Sequence, residues 1–273
     1  MKNFRLYKAT SYLVLAFCAL NSSSYSYATE SSLGKSVVER AKKQITPKLS
    51  IDQYIKLQKY AYDYIVNNKY NIKPEKNESG FYRINIKTPD FIDSNLGIEK
   101  LRINYWPIDD SNKILAESIH DHPRYFESYI LYGGYVHSIY NMHEKSNGED
   151  SEKFNLYRIN KLADGTKSFD HLGESYVTKN RDERVKEGKL VIMPTNVVHR
   201  VLYSVPGSLS MNIVYNDKTN KDYFYKFVSR SGSKKDVKLT RAKISGEKRD
   251  ELLNQIEKRL FNSLFQKGHI SIN

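Results

Sequence analysis

His120 and His122 stand two apart in the run Ser118-Ile119-His120-Asp121-His122-Pro123, and a carboxylate, Glu127, follows with four residues between. On a β-strand, side chains at i and i+2 share a face, so both imidazoles are predicted to point the same way. Pro123 favours a bend before it, and beyond that bend Glu127 is expected to reach the same space. Two imidazoles and a carboxylate are three ligands for a divalent transition metal. A second stretch, Gly188 to His199, offers a fourth in His199. The expected metal ligands are therefore His120, His122, Glu127 and His199. Three of the chain's seven histidines fall in this pattern, whereas unrelated surface or core histidines would have no common spacing.

The donor set narrows the metal. Cys18 is the one cysteine of the chain and lies in its first apolar stretch, so a thiolate is not expected among the ligands. Nitrogen and oxygen donors suit Fe, Mn, Ni, Cu or Zn. Four ligands on one side of an octahedral ion leave two positions open, as dioxygen or a chelating substrate requires. A closed tetrahedral set would instead argue for structural zinc.

The elements that position these residues are legible from periodicity. From about residue 80 the pattern alternates. Strands are expected at Phe81 to Ile86, over Leu101, Ile103 and Tyr105, along the His120 run, and at Ser128–Tyr132 and Tyr135–Met142 around a Gly133-Gly134 turn. More follow near Phe154–Ile159, Ser175–Thr178, Lys189–Met193, His199–Ser204, Leu209–Tyr215 and Tyr223–Val228. The 22 Tyr and 11 Phe favour such strands. Many short strands with turn signals between them read as a sandwich or barrel. A helix is expected on each side. Ser50-Ile51-Asp52-Gln53 has the form of a capping box, followed by Tyr54, Leu57, Ala61 and Ile65 at helical spacing. Leu252, Leu253, Ile256, Leu260 and Leu264 make a second apolar stripe, with Ser245 to cap it and Gly268 to stop it. A shorter helix is expected around Ser36–Lys43.

The start of the chain reads as an address rather than as fold. Lys2, Arg5 and Lys8 precede a short apolar run, Tyr12 to Leu20, and Ser26-Tyr27-Ala28 offers small residues for cleavage after Ala28. The apolar run is too short to span a bilayer. A periplasmic or secreted protein is expected, with membrane contact only through this signal. The domain reading is a signal at 1–28, an arm and helix at 29–79, one barrel at 80–240 and a helix at 241–273. Net charge falls from +13 to +10 once Lys2, Arg5 and Lys8 are removed. Part of the excess gathers at Arg230, Lys234, Lys235, Lys238, Arg241 and Lys243. No nucleic-acid motif accompanies it, so it reads as a solvated lysine-rich face, with no nucleic-acid partner expected.

Taken together, the two histidine stretches resemble the signature motifs of the cupin superfamily. The first motif, His-x-His, four residues, Glu, five residues, Gly, is matched by His120, His122, Glu127 and Gly133. The second, Gly, five residues, Pro, one residue, Gly, two residues, His, is matched by Gly188, Pro194, Asn196 and His199, with Asn196 in place of the inner Gly. Ile114 and Tyr203 are two further departures, neither at a ligand. The match covers about 101–215 and implies an all-β fold, a single jelly-roll barrel with flanking helices, with a homodimer pairing through sheets.

A narrower resemblance is to thiol dioxygenases of the cysteine dioxygenase type. It rests on Ser118 to His122, preceded by a strand ending in Trp106, and on His199-Arg200-Val201. In that family Fe(II) binds thiolate and dioxygen together while an Arg clamps the substrate carboxylate. By this resemblance the clamp is Arg83, in Phe81-Tyr82-Arg83, with Arg102 as second choice. Two features depart: Glu127 stands where such enzymes have no acid, and Ser210-Met211-Asn212 lacks the His of their Ser-His-Tyr relay. The implied activity is an Fe(II) or Mn oxygenase acting on a small organic acid or thiol. A metal-binding cupin without turnover, serving as sensor or ligand-binding module, is a second reading. An isomerase or hydrolase with Glu127 as base is a third. Asn212 is a candidate for a hydrogen bond to substrate, Tyr132 and Tyr203 for the barrel mouth, and His137 for a place behind the ligands. Arg200, next to His199, is expected on the opposite face of its strand.

Overall fold

Ser50 caps its helix with both halves of the box in place. Gln53 N–H donates to Ser50 Oγ at 3.3 Å, and Ser50 N–H donates to Gln53 Oε1 at 2.7 Å. The helix that follows, α1 (Ile51–Asn68), buries Tyr54, Leu57, Ala61 and Ile65, the stripe its spacing predicts. A second helix, α2 (Gly246–Gln266), buries Leu252, Leu253, Ile256, Leu260 and Leu264. Side chains from both helices join one core with a β-sheet, each large one contributing roughly 1.5–3 kcal/mol by leaving water. Neither described helix is long and apolar enough to cross a membrane.

The structure, a computed structural model, describes residues 47–77, 80–89, 96–107, 118–146, 148, 150–162, 164, 166–229 and 241–266. The signal, the helix at Ser36–Lys43, the basic residues 230–240, Gly268 and His269 lie outside the described residues. Among the described residues thirteen strands form: β1 (Glu75–Asn77), β2 (Tyr82–Ile86), β3 (Ile98–Tyr105), β4 (Ile119–His120), β5 (Phe126–Tyr132), β6 (Gly134–His143), β7 (Ser151–Lys161), β8 (Lys167–Lys186), β9 (Leu190–Met193), β10 (Val198–Ser204), β11 (Leu209–Tyr215), β12 (Tyr223–Ser229) and β13 (Arg241–Lys243).

They make a seven-stranded sheet, in the order β13-β1-β2-β3-β11-β5-β9, and a closed ring, β10-β4-β12-β7-β8-β6. The chain crosses between these two assemblies at each step from β3 to β6 and again from β8 to β11. That winding sets β3-β11-β5-β9 opposite β4-β10-β6-β8, which is a jelly roll. The fold is all-β, a barrel with flanking helices. One face of the seven-stranded sheet carries Tyr82, Ile84, Leu101, Ile103, Tyr105, Met211 and Ile213 against the helices. By the two-residue period, its other face turns Arg83, Asn85, Arg102, Asn104, Ser210, Asn212 and Ser128 into the barrel. Phe126, Ile130, Val191 and Met193 line the same interior and pack with Tyr135 of β6, Val185 of β8 and Val201 of β10.

The ring has a core of its own. Ile119, Tyr140, Val177, Val198 and Phe227, with Phe154, Leu156 and Tyr225, fill it from all six strands. The wall formed by β4, β10 and β6 therefore has the jelly-roll interior on one side and this second core on the other.

β1 and β13 pair with each other, and β1 continues into β2, so the sheet also takes residues from the arm and from the C-terminal segment. At Gly133 the backbone turns with φ +72°, and a Cβ there would meet Ser208 Oγ at 2.5 Å, so the turn between β5 and β6 requires glycine.

Candidate metal centre

Two strand pairings bring three histidines together. His199 on β10 lies directly opposite His120 on β4, so their side chains emerge on the same face. His122 follows two residues after His120, as the spacing predicts. One ring nitrogen from each of His120, His122 and His199 lies within 4.8 Å of the others. The ring centroids are 4.7, 4.9 and 5.0 Å apart.

Their orientation suits a cation. His120 Nδ1 is 2.7 Å from the Ser118 carbonyl oxygen, which leaves Nε2 to face the other rings. His122 Nε2 and His199 Nε2 are 2.8 Å apart. Imidazole nitrogens held cis on one ion at about 2.1 Å would stand about 3 Å apart, so the pair is close to the spacing a shared ion needs. Burial, reinforced by the charge of His120, pushes both His122 and His199 well below the usual histidine range. They are thus neutral, the form that donates to a metal. Three imidazoles fit a divalent transition ion.

Glu127 does not join them, and the expectation that it would is corrected. It is fully buried on the helix side of the seven-stranded sheet. Oε2 accepts from the hydroxyls of Tyr54 and, at 2.6 Å, Tyr215. Oε1 accepts from Tyr125 Oη–H at 3.1 Å and Lys48 N–H at 2.7 Å. Burial and then the Glu127 charge push all three tyrosine hydroxyls up, so they stay protonated and donate. The physical reason is strand parity. Phe126 faces the barrel, its ring edge-on to His122 at 4.7 Å, so its neighbour Glu127 must face outward.

Asp121, between the two histidines, also points away. It accepts from Lys221 Nζ and from Tyr225 N–H, each at 2.6 Å.

Across the interior from the histidines stand two polar rungs. In one, Arg83, Asn104 and Ser210 are in register; in the other, Asn85, Arg102, Asn212 and Ser128. Arg83 Nε–H donates to Asn104 Oδ1 at 3.2 Å. Ser128 and Ser210 hydroxyls donate to Asn212 Oδ1 at 3.1 and 3.0 Å. Arg83 and Arg102 both depress the His122 pKa, which puts their charges within electrostatic reach of the histidine cluster. The structure thus gathers His120, His122 and His199, and sets Arg83, Arg102 and Asn212 on the sheet facing them.

The remaining expectations divide. Arg200 is on the far face, its guanidinium over the Tyr140 ring at 5.5 Å. Tyr132 packs toward α2 with Arg259 over its ring at 3.8 Å, rather than lining a mouth. His137 is buried beside the cluster, 5.8 Å from the His199 ring, with Nε2–H donating to Glu183 at 2.7 Å. Its apolar neighbours Val136 and Ile139 gave no sign of that partner, which comes from the long strand β8.

No family model matches the sequence, and no curated protein matches it. Among solved structures, E. coli ycfD is similar at 9% identity and a TM-score of 0.29, over 83% of this chain and 63% of that one. The E. coli ribosomal oxygenase YcfD in complex with cobalt and 2-oxoglutarate gives 10% identity and a TM-score of 0.25, over 83% and 62%. A Pseudomonas putida prolyl-4-hydroxylase gives 12% and 0.20, over 68% and 91%. The chain spans less than two thirds of either YcfD chain. At these values the likenesses decide nothing about what this chain binds or does.

Proposed function

We propose that this chain is an exported metal-dependent oxygenase, with Fe(II) held by His120, His122 and His199, acting on a small organic acid or thiol. One observation carries the reading: three imidazoles, those of His122 and His199 neutral, converge within a barrel interior whose opposite wall presents Arg83 and Arg102. His199 is buried and His120 and His122 are half-buried, so the cluster bears a desolvation cost that an ion bound between the rings would offset.

The chain's own groups have distinct parts. Arg83 and Arg102 hold the carboxylate of the substrate, since a guanidinium binds carboxylate through two parallel N–H donors. Asn212, already tied to two serines, orients a polar group of the substrate. Phe126, Ile130, Val191 and Met193 keep the apolar side dry. A bound redox-active ion would supply Lewis acidity and dioxygen activation there. Mn, Ni, Cu or Zn fit the same nitrogens. The reading that uses Glu127 as a free base draws no support from its position among three tyrosines.

The test is metal analysis of the protein purified from its native host, with His199→Ala beside it, followed by oxygen-electrode assays over small carboxylates and thiols. Metal present in the parent, lost in the variant, and dioxygen consumption that needs substrate would support the reading. Metal without any consumption would make the chain a binding module. Equal metal in parent and variant would remove the centre altogether.

A further inference from the structure

Behind the metal centre, two buried nitrogens have no hydrogen-bond partner among the described residues: Nδ1 of His137 and Nδ1 of His199. Each would carry a desolvation cost if left alone. Their rings are neighbours, 5.8 Å between centroids and at 86° to one another. They share the inner face of adjacent strands, since His137 is opposite Val201 and Ile139 opposite His199.

The tautomers at the two ends are set independently. Glu183 accepts from His137 Nε2 at 2.7 Å and is itself held by Arg181 at 2.6 Å. A carboxylate only accepts, so a His137 hydrogen is on Nε2, and in the neutral ring Nδ1 is then the acceptor. At the other end His199 turns Nε2 toward His122. With that lone pair committed to an ion, the His199 hydrogen is on Nδ1. One ring offers an acceptor and the other a donor.

We propose that Glu183, His137 and His199 form a hydrogen-bonded relay to the metal, closed between the two Nδ1 atoms directly or through one water. Its task is to fix the tautomer and the angle of His199 and to strengthen its donation to the ion. His137 is a positioning residue, and Arg181 keeps Glu183 aimed at it. This rests on the metal reading above. The His137 bond, against the opposing effect of burial, also holds the Glu183 carboxyl down at about 2, so the acceptor end stays charged.

The test is a Co(II) titration of the purified chain, reading affinity and the visible ligand-field bands, for parent, His137→Phe, His137→Gln, Glu183→Gln and His199→Ala. Glu183 is a third exposed, so its variant should fold. Expected are a roughly tenfold to hundredfold loss of affinity and shifted bands in His137→Phe and Glu183→Gln. His137→Gln, which keeps an acceptor, should recover part of both. Parent affinity and bands in His137→Phe and Glu183→Gln would overturn the relay. Failure of the metal reading is distinct: His199→Ala would then bind Co(II) like the parent.

Discussion

Phe126 and Glu127 are consecutive on β5 and serve opposite sides of the sheet. The Phe126 ring packs edge-on against His122 in the barrel, while the Glu127 carboxylate is gripped by Tyr54, Tyr125, Tyr215 and the Lys48 amide among the helices. The acid that spacing pairs with the histidines is thus a fastening between sheet and helix α1.

Replacing it should cost stability rather than metal. Glu127→Ala leaves three buried hydroxyls and an amide without their acceptor, and the expected loss is about 1–3 kcal/mol for each donor that finds no other partner. Urea unfolding checks the loss, and metal per folded chain should equal the parent's. Unchanged stability with metal gone would return Glu127 to the ligand set.

The facing arginines make a second prediction. Removing one charged hydrogen-bonding partner costs roughly 1.5–3 kcal/mol, or about tenfold to a hundredfold in affinity. Arg83→Ala and Arg102→Ala should weaken the binding of small carboxylates to the Co(II)-loaded protein by that factor, with metal affinity little changed. Carboxylates that bind both variants like the parent would place the substrate elsewhere.

Acid should loosen the anchor of α1 in a defined window. Burial raises the Asp217 carboxyl, but the Lys48 ammonium at 2.5 Å and the Thr219 backbone and hydroxyl outweigh it and hold the group at about 2. A folded-state pKa below the unfolded 3.8 means stability that is present above that value and lost as pH falls toward 2. The urea midpoint of Lys48→Met should therefore fall less than the parent's between about pH 4 and pH 2. Parallel acid curves would sink the assignment.

Gly133→Ala tests the turn behind the site. A left-handed φ and the 2.5 Å approach to Ser208 Oγ together should cost about 1–3 kcal/mol, seen as a lower melting temperature. An unchanged melt would mean that the turn can relax.

Export has its own readout. Expressed in a secreting bacterial host, the mature chain should begin at Thr29, which intact mass spectrometry reads directly. A retained Met1 would mean no cleavage.

Much of this was visible in the residues themselves. The Ser50 box, the α1 stripe and the α2 stripe carry local signals that tertiary packing did not have to override. The three histidines were legible because a two-residue spacing fixes a shared face. Glu127 was misread because a count along the chain passes over the turn at Pro123, and only strand parity tells inside from outside. β8 was largely missed: Lys179 to Arg184 are all polar, and their pairing is imposed by β6. β1 and the edge strand β13 are three-residue charged strands, too short for any period to show. With β8 unseen, Glu183 could not be placed against His137.

The two-residue strand β4 is zipped to β10 on one flank and to β12 on the other, with a packed hydrophobic cluster directly behind it. His120 is consequently mounted on a braced beam rather than on a flexible tether. An arriving ion would find its coordinating nitrogens already assembled. Its uptake would resemble docking into a finished socket, and the empty protein would keep its shape, unlike small domains that are unfolded until zinc gathers them.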